Sequence, residues 1–202
     1  MSSRSPRPIG TKQTGEFLRE VAAFAGLAKQ RVDDFIMVEE RSYYGYIGAF
    51  PEFYSQYRRG LPNRFGAIGD AAYMLALSKF AVRQLGLIPA RLIVTDNPPV
   101  EYRAAIRAEF RALDHDVSVE VDFAEDSFAI HQLVRETDFA SKPPLIFGST
   151  WERDLAKELR GFVIEVGFPA QYEVVLSRTC VGYRGALLLI ERIYSTLISR
   201  SA

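Results

Sequence analysis

From Phe65 onward the chain alternates short apolar runs with longer amphipathic stretches, and this rhythm leaves it few possible folds. Phe65–Gly69, Arg91–Thr95, Val117–Phe123, Pro144–Gly148 and Phe162–Val166 have the length of strands and are bounded by turn residues. Between and after them, Ala71–Leu85, Val100–Leu113, about Asp126–Glu136, Trp151–Leu159 and Tyr183–Ser199 read as helices. In the first of these, Leu75, Leu77, Phe80, Ala81 and Leu85 are apolar and Gly86 closes the run. Strands separated by helices pair in parallel, and a parallel sheet needs helices on both faces. The expected fold is therefore α/β, a Rossmann-like doubly wound sheet of about five strands. Right-handed crossovers favour the order 3-2-1-4-5. That order makes the first and fourth strands neighbours, so Gly69 and Asp70 share the carboxyl edge with Gly148, Ser149, Thr150 and Trp151. Doubly wound sheets bind ligands in such a switch-point crevice, and these six residues are the candidate binding site.

The turn-rich break Gly60-Leu61-Pro62-Asn63 separates a tail and helical preamble, 1–60, from the α/β domain, 61–202. In the preamble, Thr11 or Thr14 is placed to cap a helix carrying Phe17, Leu18, Val21 and Phe24 as far as Gly26. A second helical run follows through Val32, Phe35, Ile36 and Glu40. Aromatic residues then crowd the segment Tyr43, Tyr44, Tyr46, Phe50, Phe53, Tyr54 and Tyr57, which suits internal packing, a partner surface or a flat aromatic ligand. Arg4, Arg7 and Lys12 with no acid among the first twelve residues read as a solvated tail.

Charge narrows the function classes. The 25 basic residues balance the 25 acidic ones, so nothing draws the chain generally toward nucleic acid or anionic lipid, and neither is expected as a partner. No run approaches the ~18 apolar residues of a membrane span, and no secretory signal is legible. With a single cysteine, Cys180, the expected setting is a reducing cytoplasm. One cysteine and two histidines, His115 and His131, cannot by themselves complete a four-ligand metal site or an iron–sulfur cluster.

Individual residues offer modest chemistry. Gly66 and Gly69 flank a strand–helix turn without G-x-G-x-x-G or a phosphate-loop Gly-Lys-Ser/Thr, which argues against a dinucleotide or nucleoside triphosphate. Asp70 reads first as a helix cap and second as a ligand contact. Ser149 to Glu152 has capping-box spacing, and amides at such a helix start can alternatively hold a small anion. Trp151 suits packing against the final helix or walling the crevice. His115 lies between Asp114 and Asp116, His131 between Ile130 and Leu133, and neither has a companion at metal spacing. Cys180, near Arg178 and the last helix, reads as a packed thiol ahead of a reactive one. No nucleophile–base arrangement is legible.

Taken in order, Pro8-Ile9-Gly10, Thr14 with Phe17-Leu18, the strand ending Gly69-Asp70, Gly148-Ser149 with Glu152-Arg153-Asp154-Leu155-Ala156, Gly167-Phe168-Pro169 and Val181-Gly182-Tyr183-Arg184-Gly185-Ala186 resemble the nitrogenase component 1 family, most closely its beta-type chains. The resemblance spans residues 8 to 199 and covers the family's carboxyl half. It implies a redox role, in which paired subunits receive electrons from an ATP-driven iron–sulfur reductase, or else a cofactor-assembly scaffold. It also implies that the cluster-ligating cysteines lie in a domain upstream of this chain, so that a metallocluster is expected only together with partner chains.

Two departures from the family pattern matter. Where alpha-type chains carry a His ligand before the final helix, residues 170 to 181 contain no histidine. Where beta-type chains read Arg-Ile-Gly-Phe-Pro and then Asp-Arg, this chain has Glu165 and, later, Tyr172-Glu173, reversing two charges. An anionic cofactor would meet repulsion there unless those side chains turn away. The expected function is thus a truncated nitrogenase-like subunit or scaffold that is not catalytic alone, forming a homodimer or joining a partner subunit. The alternative is a free-standing Rossmann-like module that binds a small ligand or a protein.

Overall fold

A computed structural model describes residues 7–57, 62–114, 117–140 and 143–199, the side chains of 50–57 excepted. Packing divides the chain into two compact units, Met1–Gly60 with Arg178–Glu191, and Leu61–Ser177 with Arg192–Ala202.

The first unit is helical. α1 (Gly10–Phe24) and α2 (Lys29–Tyr57) run antiparallel. They are tied by Arg19 to Asp33 at 2.8 Å near their connection and by the Thr11 and Tyr44 hydroxyls at 3.0 Å further along. Neither threonine caps α1, contrary to expectation: the cap is Ile9, and the Thr14 hydroxyl turns inward to donate to the Gly10 carbonyl. The backbone fixes the helix start instead, because Ile9 bridges Gly182 and the Gly182 amide donates to the Pro8 carbonyl at 2.7 Å. The second helix runs on past Glu40 through the aromatic segment. Within that segment Tyr43 is buried, Tyr44 and Tyr46 are exposed, and the side chains of Phe50, Phe53, Tyr54 and Tyr57 lie outside the described residues.

The second unit holds the sheet. β1 (Arg64–Gly69), β2 (Ile88–Val94), β3 (Val121–Phe123), β4 (Leu145–Gly148) and β5 (Phe162–Glu165) are parallel in the order β3-β2-β1-β4-β5. They alternate with α3 (Ala71–Leu85), α4 (Val100–Arg111), α5 (Ser127–Arg135) and α6 (Arg153–Glu158). The long helix α7 (Gly182–Ser199) ends the described chain, its first residues grouping with the helical unit and those from Arg192 with the sheet.

Strand alternation sorts the sheet's side chains onto two faces. Ile68, Ile93, Ile146 and Val163 join Ile130 and Val134 of α5 and Leu155 of α6 in one core. Phe65, Ala67, Leu92, Leu145 and Phe147 occupy the intervening positions and are fully buried, with the Phe65 and Phe147 rings edge to face at 5.7 Å. Gly86 adopts the left-handed conformation, φ 66°, that ends α3 without the penalty a side chain would bring. The third strand is shorter than its sequence pattern suggests. Val117 belongs instead to a turn bridged to Asp114, and pairing begins only at Val121 opposite Leu92. Among the described residues, no helix is long and apolar enough to cross a membrane.

Candidate functional site

At the first strand–helix turn, the Asp70 carboxylate accepts from the Tyr73 amide at 2.9 Å. Asp96, beyond the end of β2, accepts from the Ala71 amide at 3.0 Å. Asp70 is therefore a cap, and a phosphate approaching the start of α3 would meet two carboxylates already seated on its amides.

The matching turn after β4 is closed in the same way. Ser149 and Glu152 form a full capping box around a 3-10 turn, Thr150–Glu152. Oε2 of the buried Glu152 accepts from the Ser149 amide at 2.6 Å and from its hydroxyl at 2.8 Å. The Thr150 amide donates to the Pro169 carbonyl at 2.9 Å, and the Gln171 amide donates to the Thr150 hydroxyl at 2.8 Å. The amides that the sequence offered to an anion are thus used internally, because the segment after β5 folds back onto this turn. Gly148 leaves room for this carboxylate: a Cβ on it would stand 2.6 Å from Glu152 Oε2, so the side chain would have to shift.

Of the six candidate residues, Thr150 and Trp151 line an open cavity of about 620 Å³, while Gly69, Asp70, Gly148 and Ser149 are not among its walls. The remaining walls come from four other segments. Glu125, Asp126 and Ser127 follow β3, His131 lies on α5, Arg153 and Asp154 open α6, and Gln171 and Tyr172 follow β5. Since every contributing loop leaves the carboxyl end of a parallel strand, the cavity sits on the edge where such sheets bind ligands. Trp151 is not packed away as expected but is 62% exposed.

The charges around the cavity are specific. The Arg153 guanidinium lies 3.9 Å from the centroid of the Tyr172 ring and 3.2 Å from Glu165, whose side chain is only 1% exposed. Glu173 pairs with Arg192 at 2.6 Å, and Arg192 also donates to the Glu165 carbonyl at 2.8 Å. The two acids that break the family pattern are therefore each matched by an arginine of their own unit, which removes the expected repulsion as a free field. Asp126 caps α5 by accepting from the Ala129 amide at 2.9 Å. A hydrogen bond from the Lys157 ammonium holds the Asp154 carboxyl below the usual carboxylate range. Nε2 of His131 is buried with no partner among the described residues.

Among the described residues, metal-ligand chemistry does not assemble. Cys180 is a half-buried free thiol, and the backbone beside it packs so tightly that a Cβ on Gly185 would lie 2.7 Å from the Cys180 carbonyl carbon. His115 lies outside the described residues. Among the described residues no three His, Cys, Asp or Glu side chains group to hold a metal ion, so the residues present do not fit an iron–sulfur cluster.

The helix expected from about Asp126 does start there, with Asp126 as its cap, whereas Glu125, His131 and Tyr172 carried no local signal that would bring them to Trp151.

The chain's relatives agree with this architecture. The family model for nitrogenase component 1 type oxidoreductase matches residues 2–198. The nitrogenase molybdenum-iron protein beta chain of Methanococcus maripaludis is 29% identical over 200 residues, covering 98% of this chain and 40% of the relative. A light-independent protochlorophyllide reductase subunit of Methylobacterium sp. (strain 4-46) is 26% identical over 193 residues, covering 95% of this chain and 34% of its own. The solved structure of nitrogenase Cp1 at pH 6.5 superposes with a TM-score of 0.69 at 26% identity, over 96% of this chain and 39% of that one. The chain thus spans 34–40% of the length of these relatives. With its sequence matched almost end to end and its sheet in the expected order, the chain belongs to the nitrogenase component 1 type oxidoreductases.

Proposed function

We propose that this chain is a lobe of a nitrogenase-like oxidoreductase assembly, or of the scaffold that builds its cofactor, and that it does not catalyse alone. In this reading it contributes the Rossmann-like sheet and a helical surface. A second copy or a nitrogenase-like partner subunit completes the assembly in the cytoplasm, cluster ligands come from other chains, and an ATP-driven iron–sulfur reductase supplies electrons. The observation that carries it is the surface of the helical unit, where Phe24 is 96% exposed and Leu27, Phe35, Met37 and Val38 are each more than half exposed. Exposed apolar surface on this scale marks interaction sites.

Light scattering across a concentration series tests the reading. The expected result is a mass above the 22.8 kDa of one chain, lowered by Phe35→Asp with Val38→Asp while the circular dichroism stays unchanged. A folded wild-type protein that remains monomeric at high micromolar concentration, with no partner retained, would sink it. Iron assayed anaerobically on the isolated chain should be substoichiometric, and an intact four-iron cluster in the monomer would count equally against the proposal.

The carboxyl-edge cavity favours a second reading, in which the sheet unit also binds a small ligand.

A further inference from the structure

We infer that the cavity beside Trp151 takes a small organic cation with a flat body, of the amidinium or guanidinium class. The inference rests on the ligand-binding reading of this cavity and names the chemistry it selects. Its volume, about 620 Å³, lies in the range of small-molecule sites. Anions are disfavoured on three counts. The amides of the 3-10 turn are committed to Ser149 and Pro169. Glu125, Asp126 and Asp154 bring three carboxylates to the wall, one of them, Asp154, paired with Lys157 at 2.9 Å. The cation among the lining residues, Arg153, is engaged by the buried Glu165.

The aromatic part of the wall is already suited to a cation. Tyr172 carries the Arg153 guanidinium at 3.9 Å from its ring centroid, so a planar cation rests there within the chain itself. Trp151, the only tryptophan of the chain, lies on the same wall at 62% exposure and presents a larger ring of the same kind. An indole is the best cation–π acceptor among side chains, and an exposed one beside carboxylates attracts a flat cation both electrostatically and by contact. Glu125, an exposed residue of the same lining, supplies a carboxylate. The unpartnered Nε2 of His131 marks a hydrogen-bonding atom of this wall that the described residues leave unsatisfied, and a small movement of the ring would offer it to a ligand N–H.

Because Trp151 is unique, its indole N–H resonance reports from this site alone. The test titrates the full chain with benzamidine, its neutral isostere benzamide and the anion benzoate, following that resonance and the heat of binding. Benzamidine should bind saturably and about tenfold more tightly than benzamide, weakening as salt is raised. Trp151→Ala, read by heat alone, should lower its affinity about tenfold, and Glu125→Gln about threefold. Both are solvent-facing substitutions, and an unchanged far-ultraviolet circular dichroism confirms that they fold. If benzamide or benzoate binds as tightly as benzamidine, the site binds ligands but the cationic class is wrong. If none of the three perturbs Trp151 up to about 10 mM, the ligand-binding reading falls with it. Retention of full benzamidine affinity in Trp151→Ala overturns the assignment to this wall.

Discussion

The strands of one unit and helices α1 and α2 of the other differ in where their apolar side chains lie. Strand residues are mostly buried, whereas the two helices leave several outside, as the sheet unit's loops also do at Phe168 and Leu176. The sheet unit folds Phe65, Leu92, Leu145 and Phe147 out of solvent completely, and even its charged Glu152 and Glu165 are buried with partners. The helical unit buries Thr11, Gln13 and Thr14 while leaving Phe24, Phe35 and Val38 outside. A core closed on itself is a statement about stability, whereas an apolar surface left open is a statement about association. Substitutions should therefore sort by unit according to which measurement they move.

The largest effect is expected in the sheet. Phe147→Ala should lower unfolding stability by about 3–5 kcal/mol, seen as a lower urea midpoint, because it leaves a cavity against Phe65. Glu152→Ala comes next at about 1–3 kcal/mol, since it strands the Ser149 amide and hydroxyl together. A variant that kept wild-type stability would show that the turn after β4 is held from elsewhere.

The helical unit should respond to alkali. Burial, reinforced by the neighbouring Tyr44, pushes the Tyr43 phenol up to about 12. Burial, followed by the nearby Glu40, does the same to Tyr183, also to about 12. Both folded values lie above the ordinary value of 10.0, so the unfolded chain ionises first. Their stabilisation is full below pH 10 and is lost as pH rises through 12. Tyrosinate absorbance at 295 nm should rise together with loss of helix signal; two tyrosines titrating with the free amino acid would break the account. The smallest effect belongs to Phe24→Ser, which should change unfolding stability by no more than about 0.5 kcal/mol while reducing self-association. If it destabilised the chain as much as Phe147→Ala, the contrast between the units would fail.

The strand order was legible because each crossover repeats one physical constraint, and the apolar runs of β1, β2, β4 and β5 are largely buried at successive positions, as strands covered on both faces are. The length of β3 was not. Val117 to Val121 alternates as a half-buried strand does, but an edge strand extends only where its neighbour offers hydrogen bonds, and the ladder to β2 starts at Leu92. The start of α1 was misplaced for a related reason: a bridge between Ile9 and Gly182, far apart in the chain, overrode the local preference of Thr11 and Thr14 for a cap. At the cavity, Thr150 and Trp151 followed from strand order alone. Tyr172 and His131 did not, since their positions depend on how the segment after β5 and the helix α5 return to the sheet.

The pairing of β1 with β2 is interrupted once: Phe65 faces Pro89, but Gly66 faces Arg91, leaving Ala90 as an extra residue. The bulge divides β2 into two separately registered halves. A change in loop length before Ile88 can be absorbed by opening or closing that slack residue, without sliding Arg91 through Val94 along their neighbour. Asp96, only two residues beyond the strand, would then keep its grip on the Ala71 amide. A change in length between α3 and β2 would in this way be insulated from the edge that carries Asp70 and Asp96.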